Sequence, residues 1–80
     1  MRLNPDYKEA YLNLGLVYQS VNNFQKAIDA IEKALTIDPD YPKALVSMKA
    51  LYQSIGDNAR AAYYESKLKS LGIDPESTNR

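Results

Sequence analysis

The chain of 80 residues contains no cysteine, no histidine and no tryptophan. Without cysteine, neither a disulfide nor a thiolate metal site can form. Without histidine, the usual zinc ligand and the usual general base are both missing. The 3 glycines stand apart from one another, so the chain has no glycine-rich phosphate loop. These absences predict a non-catalytic domain that holds no metal and no cofactor.

The charge has no excess of either sign, because 10 Lys and Arg residues balance 10 Asp and Glu residues. A nucleic-acid binder normally carries a basic excess on one face, so we expect no nucleic-acid partner. The apolar runs are far shorter than the ~20 residues that a membrane-spanning helix needs. The first residues also lack the apolar segment of a signal peptide. The composition therefore predicts a single small, soluble, cytoplasmic domain without membrane insertion.

An internal repeat organises the chain. Residues 3–7 read Leu-Asn-Pro-Asp-Tyr and return 34 positions later, at 37–41, as Ile-Asp-Pro-Asp-Tyr; a weaker copy begins at residue 73. Residues 18–20, Tyr-Gln-Ser, likewise return at 52–54. A fixed period of this length is typical of helical repeat arrays. We predict two copies of one unit, at about 6–39 and about 40–73, followed by a polar tail at 74–80.

Proline, glycine and asparagine mark where helices should begin and end. They predict four helices, at residues 6–21, 24–37, 41–55 and 59–71. Asn4 or Asp6 would cap the first helix, Asn22 and Asn23 would form the first turn, and Gly72 would close the last helix. Short turns make neighbouring helices antiparallel. The predicted fold is all-α: two stacked antiparallel helical hairpins, as in a fragment of an α-solenoid.

Apolar residues sort onto one face of each of the first two helices at about 100° per residue. On the first helix they are Tyr7, Ala10, Tyr11, Leu14, Gly15, Val17, Tyr18 and Val21. On the second they are Phe24, Ala27, Ile28, Ile31, Ala34 and Leu35. Gly15 and Ala27 are small enough to let the two backbones approach closely.

These residues resemble the tetratricopeptide repeat (TPR), a helix-turn-helix unit of 34 residues. The first unit carries the family pattern in Tyr11, Leu14, Gly15, Tyr18, Ala27, Ile31, Ala34 and Pro39. The second carries it in Leu45, Met48, Tyr52, Ala61 and Leu68, and departs from it at Lys49 and Glu65. The resemblance covers roughly residues 3 to 75. It implies a protein-interaction module or scaffold that binds a protein or peptide in a concave groove lined by the first helix of each unit.

Ten residues of the first and third helices are the predicted peptide-binding groove: Glu9, Leu12, Asn13, Leu16, Gln19, Lys43, Val46, Ser47, Ala50 and Gln53. Leu12 and Leu16 lie in a polar sector that the helix's own core does not need, which favours an apolar ligand. The alternative is that they pack between neighbouring first helices. Some family members hold acidic chaperone termini with a clamp of Lys, Arg and Asn. Leu12 and Leu16 occupy the first clamp positions, which argues against that ligand, and only Asn13 and Lys43 have clamp-like chemistry.

The N-terminal end exposes the residues that a preceding unit would cover, namely Tyr7, Ala10, Val17 and Val21. The corresponding residues of the second unit, Tyr41, Ala44, Leu51 and Ile55, should pack on the first unit. About three repeats are usually needed for stability. Three interpretations stay open: the C-terminal end of a longer array, a homodimer through this face, or a weakly stable monomer.

The fourth helix has a polar outer flank. Asn58, Ala62, Glu65 and Lys69 stand where the second helix has Phe24, Ile28, Ile31 and Leu35. Glu65 and Lys69 are spaced for an ion pair across one helical turn. A terminal repeat needs a polar outer face, so we interpret the second unit as a C-terminal cap. The alternative is ordinary drift of the sequence.

Seven tyrosines suggest base stacking at first sight. Tyr11, Tyr18, Tyr52 and Tyr64 fall on predicted core faces, however, Tyr7 and Tyr41 lie beside helix starts, and Tyr63 alone points clearly outward. The carboxylate pair Asp29 and Glu32 lies on a solvated helix face with no neighbouring pocket expected, which argues against a catalytic role.

Overall fold

The computed structural model describes residues 7–72 and contains four helices in that range: α1 (Tyr7–Ser20), α2 (Phe24–Ile37), α3 (Pro42–Ser54) and α4 (Asn58–Ser70). The predicted bounds of α2 match, and those of α3 and α4 differ by one residue at each end. α1 ends one residue earlier than predicted. Its predicted caps, Asn4 and Asp6, and the predicted tail at 74–80 lie outside the described residues.

The two hairpin turns use one backbone conformation at equivalent positions. Asn22 has a φ of 65° and Gly56, its counterpart in the second unit, has a φ of 84°. This left-handed conformation is natural for glycine and tolerated by asparagine. Of the predicted asparagine pair only Asn22 adopts it, since Asn23 has a φ of −92°. Gly72, with a φ of 82°, directly follows the C-cap residue of α4.

α1 and α2 pack as one antiparallel hairpin, and α3 and α4 pack as a second. α2 stacks on α3 and so joins the two hairpins. α1 makes a smaller contact with α3. The largest side chains with almost no exposure are Ile31, Leu45, Met48, Leu51 and Leu68. Three of these five lie on α3, so the core is centred there. The prediction of two stacked helical hairpins is confirmed.

Close approach of α1 and α2 depends on Gly15, as predicted. A Cβ atom at Gly15 would lie 3.1 Å from the carbonyl oxygen of Ala27 and 2.9 Å from Cδ1 of Ile31. It would overlap Cγ1 of Ile31. Ile31 is fully buried, so its side chain has little room to move away.

The buried face of α1 differs from the predicted one. Gly15 is buried, and Tyr11 and Tyr18 pack partly against the core, but Leu14, which belongs to the family pattern, is 44% exposed. Leu12, which the core was not expected to need, is only 4% exposed and belongs to the core. The physical reason is that α3 packs against α1, so the sector facing α3 is buried while the flank away from it stays open.

The polar flank of α4 contains the predicted ion pair: Lys69 Nζ lies 3.5 Å from Glu65 Oε2. Asn58 and Ala62 are exposed. The side chains of this flank thus have the polar, solvated character that the sequence indicates.

Two further ion pairs converge on the loop between α2 and α3. Lys8 of α1 contacts the Asp38 carboxylate at 2.7 Å and lies 4.7 Å from the centre of the Tyr41 ring. Lys67 of α4 contacts Asp40 at 3.7 Å. The loop that joins the two units is therefore held from both sides. Sequence analysis missed these pairs because their partners lie far apart in the chain.

Candidate functional site

A shallow groove lies between α1 and α3 and has a volume of about 380 Å³. Its lining consists of Leu12, Leu16, Pro42, Lys43, Val46 and Ser47. The two leucines are one turn apart on α1, and the other four residues belong to the first turns of α3. We refer to this surface as the α1–α3 groove.

The floor and rim of the groove are both apolar. Leu12 is buried, whereas Leu16 is 42% exposed and Val46 is 41% exposed. Two large aliphatic side chains therefore face solvent across the groove, with the edge of a core leucine between them. Burying such surface under a ligand is favourable at about 25 cal/mol per Å² of apolar area.

Lys43 is the one ionisable residue in this lining. It lies in the first turn of α3, where the helix dipole adds partial positive charge. The groove therefore combines an apolar surface with a weakly positive end.

Half of the ten predicted groove residues line this groove: Leu12, Leu16, Lys43, Val46 and Ser47. The other five lie outside its lining. Glu9, Asn13 and Gln53 are exposed, and Gln19 and Ala50 are half-buried. Pro42 lines the groove but was missed, since a proline in the first turn of a helix was interpreted only as a helix start. Its position one turn before Val46 was the available signal.

The four residues of the predicted oligomer face are more open than their counterparts in the second unit. Val17 is 60% exposed and Val21 is 66% exposed, Ala10 is exposed and Tyr7 is half-buried. In α3 and the loop before it, the corresponding Tyr41, Ala44 and Leu51 are buried against the first unit, while Ile55 stays exposed.

The tyrosines and the acidic pair follow the sequence analysis in most respects. Tyr52 is buried, Tyr11, Tyr18 and Tyr64 pack partly against the core, and Tyr63 is exposed. Tyr41, placed beside a helix start, proves to be buried. Asp29 and Glu32 are both exposed, as expected, but the expectation that no pocket lies beside them is wrong, because Asp29 lines one hollow and Glu32 lines another.

The four helices form two antiparallel pairs, and the pairs stack so that their first helices share a groove. This arrangement defines a helical repeat protein. Comparison with protein families supports this class: residues 9–41 match the family model of the tetratricopeptide repeat. This segment is therefore similar to a tetratricopeptide repeat, and the four helices are consistent with two such repeats. No curated protein and no solved structure matches the chain significantly.

Tetratricopeptide repeats are generally protein–protein interaction modules and are typically non-catalytic. Within residues 7–72, no helix is both long enough and apolar enough to cross a membrane. In the same range, Asp and Glu side chains form no cluster of three or more that could hold a metal ion.

Proposed function

We propose that the chain binds a segment of a partner protein in the α1–α3 groove, with apolar side chains of the ligand seated between Leu16 and Val46. The observation that carries the proposal is the apolar lining shared by the first helices of both units. Neither helix could form this surface alone, and the stacking of the two units creates it.

The chemistry of the lining defines the ligand. Apolar surface on both walls favours aliphatic or aromatic side chains, and an extended or amphipathic helical segment can present them. Lys43 adds a preference for an acidic residue of the ligand at the end of the groove where α3 begins. The leucines at 12 and 16 leave no cationic clamp for a ligand that is acidic throughout.

The proposal can be tested by selecting a random-sequence peptide library on the immobilised chain. We expect enriched peptides to carry apolar residues, and we expect Leu16→Ser and Val46→Ser to abolish their binding. Leu14→Ser is the matched control, because Leu14 is 44% exposed on the same helix but lines a different hollow. Equal losses for Leu14→Ser and Leu16→Ser, or no enrichment at all, would contradict the proposal.

A second candidate function is self-association through the open face of α1, and the exposure of Val17 and Val21 favours it. Two such faces packed against each other would cover Val17, whose counterpart in the second unit, Leu51, is fully buried. Sedimentation across a wide concentration range would report the mass. Here Val17→Ser with Val21→Ser should abolish a dimer, whereas Val46→Ser should preserve it. A monomer at every concentration would exclude this candidate and leave peptide binding unaffected.

A further inference from the structure

A second hollow lies between α2 and α4, on a part of the molecule that shares no lining residue with the α1–α3 groove. Its volume is about 580 Å³. It is lined by Glu32 from α2, Tyr52 from α3, and Asp57, Ala59, Arg60, Tyr63 and Tyr64 from α4 and its N-cap. The two flanking helices make no direct backbone approach, which leaves the space between them open. We call this surface the tyrosine hollow.

Three aromatic rings form the walls of the tyrosine hollow. The rings of Tyr52 and Tyr64 are nearly parallel, with centroids 5.9 Å apart and an angle of 8°. Tyr63 meets Tyr64 almost at a right angle, with centroids 4.9 Å apart. The aromatic surface therefore extends from a buried floor at Tyr52 to a solvent-exposed rim at Tyr63. The faces of such rings carry negative electrostatic potential and attract cations.

The structure already places one cation against this aromatic surface. The Arg60 guanidinium lies 5.8 Å from the centre of the Tyr52 ring, and the Asp57 carboxylate holds it at 2.7 Å. Asp57 also accepts a hydrogen bond from the Arg60 backbone N–H, which caps α4. Arg60 and Asp57 therefore neutralise each other within the lining.

Glu32 leaves the tyrosine hollow with one uncompensated negative charge. Among residues 7–72, none of the ion pairs involves the Glu32 carboxylate. Its field reaches the aromatic rings: burial raises the pKa of the Tyr52 hydroxyl, and the negative charge of Glu32 raises it further. The pKa of Tyr64 is raised by burial, then by Tyr52 and by Glu32. A positive charge in the hollow would meet favourable potential from both the rings and the carboxylate.

We propose that the tyrosine hollow binds a cationic side chain, lysine or arginine, presented by a partner protein. The ammonium or guanidinium group is held between the Tyr63 and Tyr64 rings and the Glu32 carboxylate, and the aliphatic stem lies along the aromatic surface. This site shares no lining residue with the α1–α3 groove, so two segments of a partner can occupy the two sites at the same time.

The first test uses a short peptide with blocked ends that carries one lysine among glycines and serines. The control peptide carries norleucine, which has an alkyl chain without the charge, in place of the lysine. We expect the lysine peptide to shift the NMR signals of the Tyr63 and Tyr64 ring protons, and the norleucine peptide to leave them unchanged. Equal shifts from both peptides, or lysine-specific shifts confined to Leu16 and Val46, would overturn the proposal.

Substitutions then separate the contributions of charge and ring. Glu32→Gln should weaken lysine binding about fivefold, as expected for one unit charge about 4 Å away in water. Asp29→Asn is the matched control, since it removes the same charge one turn away on α2 and lies outside the hollow. Equal weakening by the two substitutions would leave no specific role for Glu32 and would overturn the assignment.

The aromatic contribution is tested at the exposed Tyr63, where substitution should not disturb the core. Tyr63→Ala should weaken lysine binding about two- to fivefold, whereas Tyr63→Phe, which keeps the ring, should preserve it. Arg60→Met should strengthen binding, because it frees the Tyr52 ring and removes the competing cation. Unchanged binding in Tyr63→Ala, or weaker binding in Arg60→Met, would contradict the proposed site.

Discussion

At the scale of single residues, the contact of Gly15 with Ile31 shows how packing outweighs local helix preference. Glycine in the middle of a helix is unfavourable by about 1 kcal/mol relative to alanine. At Gly15, however, a methyl group would overlap Cγ1 of a fully buried isoleucine and would lie 3.1 Å from a backbone oxygen. The glycine is required by the helix pair and not by its own helix.

We therefore expect Gly15→Ala to destabilise the chain although alanine is the better helix former. Overpacking costs about 1–3 kcal/mol, which exceeds the gain in helix propensity and leaves a net loss of about 1 kcal/mol. Urea denaturation followed by circular dichroism measures this loss. As a control, the same substitution in an Ile31→Ala background should be much less destabilising, because the overlap with the Ile31 side chain has been removed and only the 3.1 Å approach to the Ala27 oxygen remains. A stabilising effect in the wild-type background would contradict this account.

The ion pair of Lys8 and Asp38 predicts how stability depends on pH. The hydrogen bond from the Lys8 ammonium holds the pKa of Asp38 below its ordinary value of 3.8, and Asp38 raises the pKa of Lys8 above 10.5. A lowered carboxyl pKa contributes stability that is present above the unfolded-state value and lost as the pH falls through the folded-state value. A raised lysine pKa contributes stability that is lost as the pH rises through its folded-state value.

We expect Asp38→Asn to lower the Tm between about pH 5 and pH 9, and this difference to disappear as the pH falls below about 3. Thermal unfolding across this pH range is the measurement, and added salt should reduce the difference because both side chains are partly exposed. Asp29→Asn serves as the control, since its exposed carboxylate forms no ion pair among the described residues. A difference that persists at pH 2 would show that Asp38 acts through something other than its charge.

At the scale of helices, α1 and α3 have similar sequences and different surroundings. Leu51 of α3 is fully buried, whereas its counterpart Val17 of α1 is 60% exposed. The difference arises because α3 has a helical hairpin on one side and α4 on the other, while one flank of α1 is uncovered. Side chains at equivalent positions of the two repeats therefore contribute differently to the free energy of unfolding.

Leu12 and Leu16 provide the test at this scale. Leu12 is 4% exposed, so Leu12→Ala should cost about 3 kcal/mol of unfolding free energy, as for other buried leucines. Leu16 is 42% exposed, so Leu16→Ala should cost less than about 1 kcal/mol. Urea titrations of the two variants measure these losses in the free energy of unfolding. Similar costs for both would show that the two leucines share one environment, contrary to their burial.

At the scale of the whole molecule, the two ends have opposite character. The open face of α1 is apolar at Val17 and Val21, while the outer flank of α4 carries Glu65 and Lys69, joined by an ion pair. In a stack of repeats, an apolar flank on one end and an apolar face on the other would fit together repeatedly. We expect the polar flank of α4 to oppose such head-to-tail growth.

We expect Glu65→Ile with Lys69→Leu to cause self-association that increases with concentration, because the new apolar flank would pack on the open face of α1 in another copy. Light scattering or sedimentation would measure the mass. The control replaces Gln25 with Ile and Asp29 with Leu, which adds apolar surface at the same helical spacing on an exposed face of α2. Equal association of both variants would indicate nonspecific aggregation, and an unchanged monomer would contradict the capping role of α4.

The fold was predictable because its determinants are local. The hydrophobic period, the turn residues and the 34-residue repeat each constrain only a few neighbouring positions, and together they indicated four helices, a left-handed turn at Asn22 and the ion pair between Glu65 and Lys69. The predicted ends of α3 and α4 differ from the structure by one residue, because helix ends fray and their last turn is often irregular.

The candidate sites were predictable only in part. The repeat pattern identified Leu16 and Val46, because each is an apolar residue in a polar helical sector with an apolar counterpart 34 positions away, Ala50 for Leu16 and Leu12 for Val46. It missed Pro42, the burial of Leu12 and the tyrosine hollow, because each depends on which helices stack and at what distance. A helical wheel shows the direction of a side chain but not the neighbour that it meets.

The sequence by itself determined the helices, their order, the repeat period and the polar flank of α4, because short-range sterics, hydrogen bonding and periodicity govern these features. The tertiary structure alone decided that Leu12 is buried, that Lys8 and Lys67 converge on the loop between the hairpins, and that Glu32 faces three tyrosines. These features join residues far apart in the chain, and only the stacking of the two hairpins brings them within contact distance.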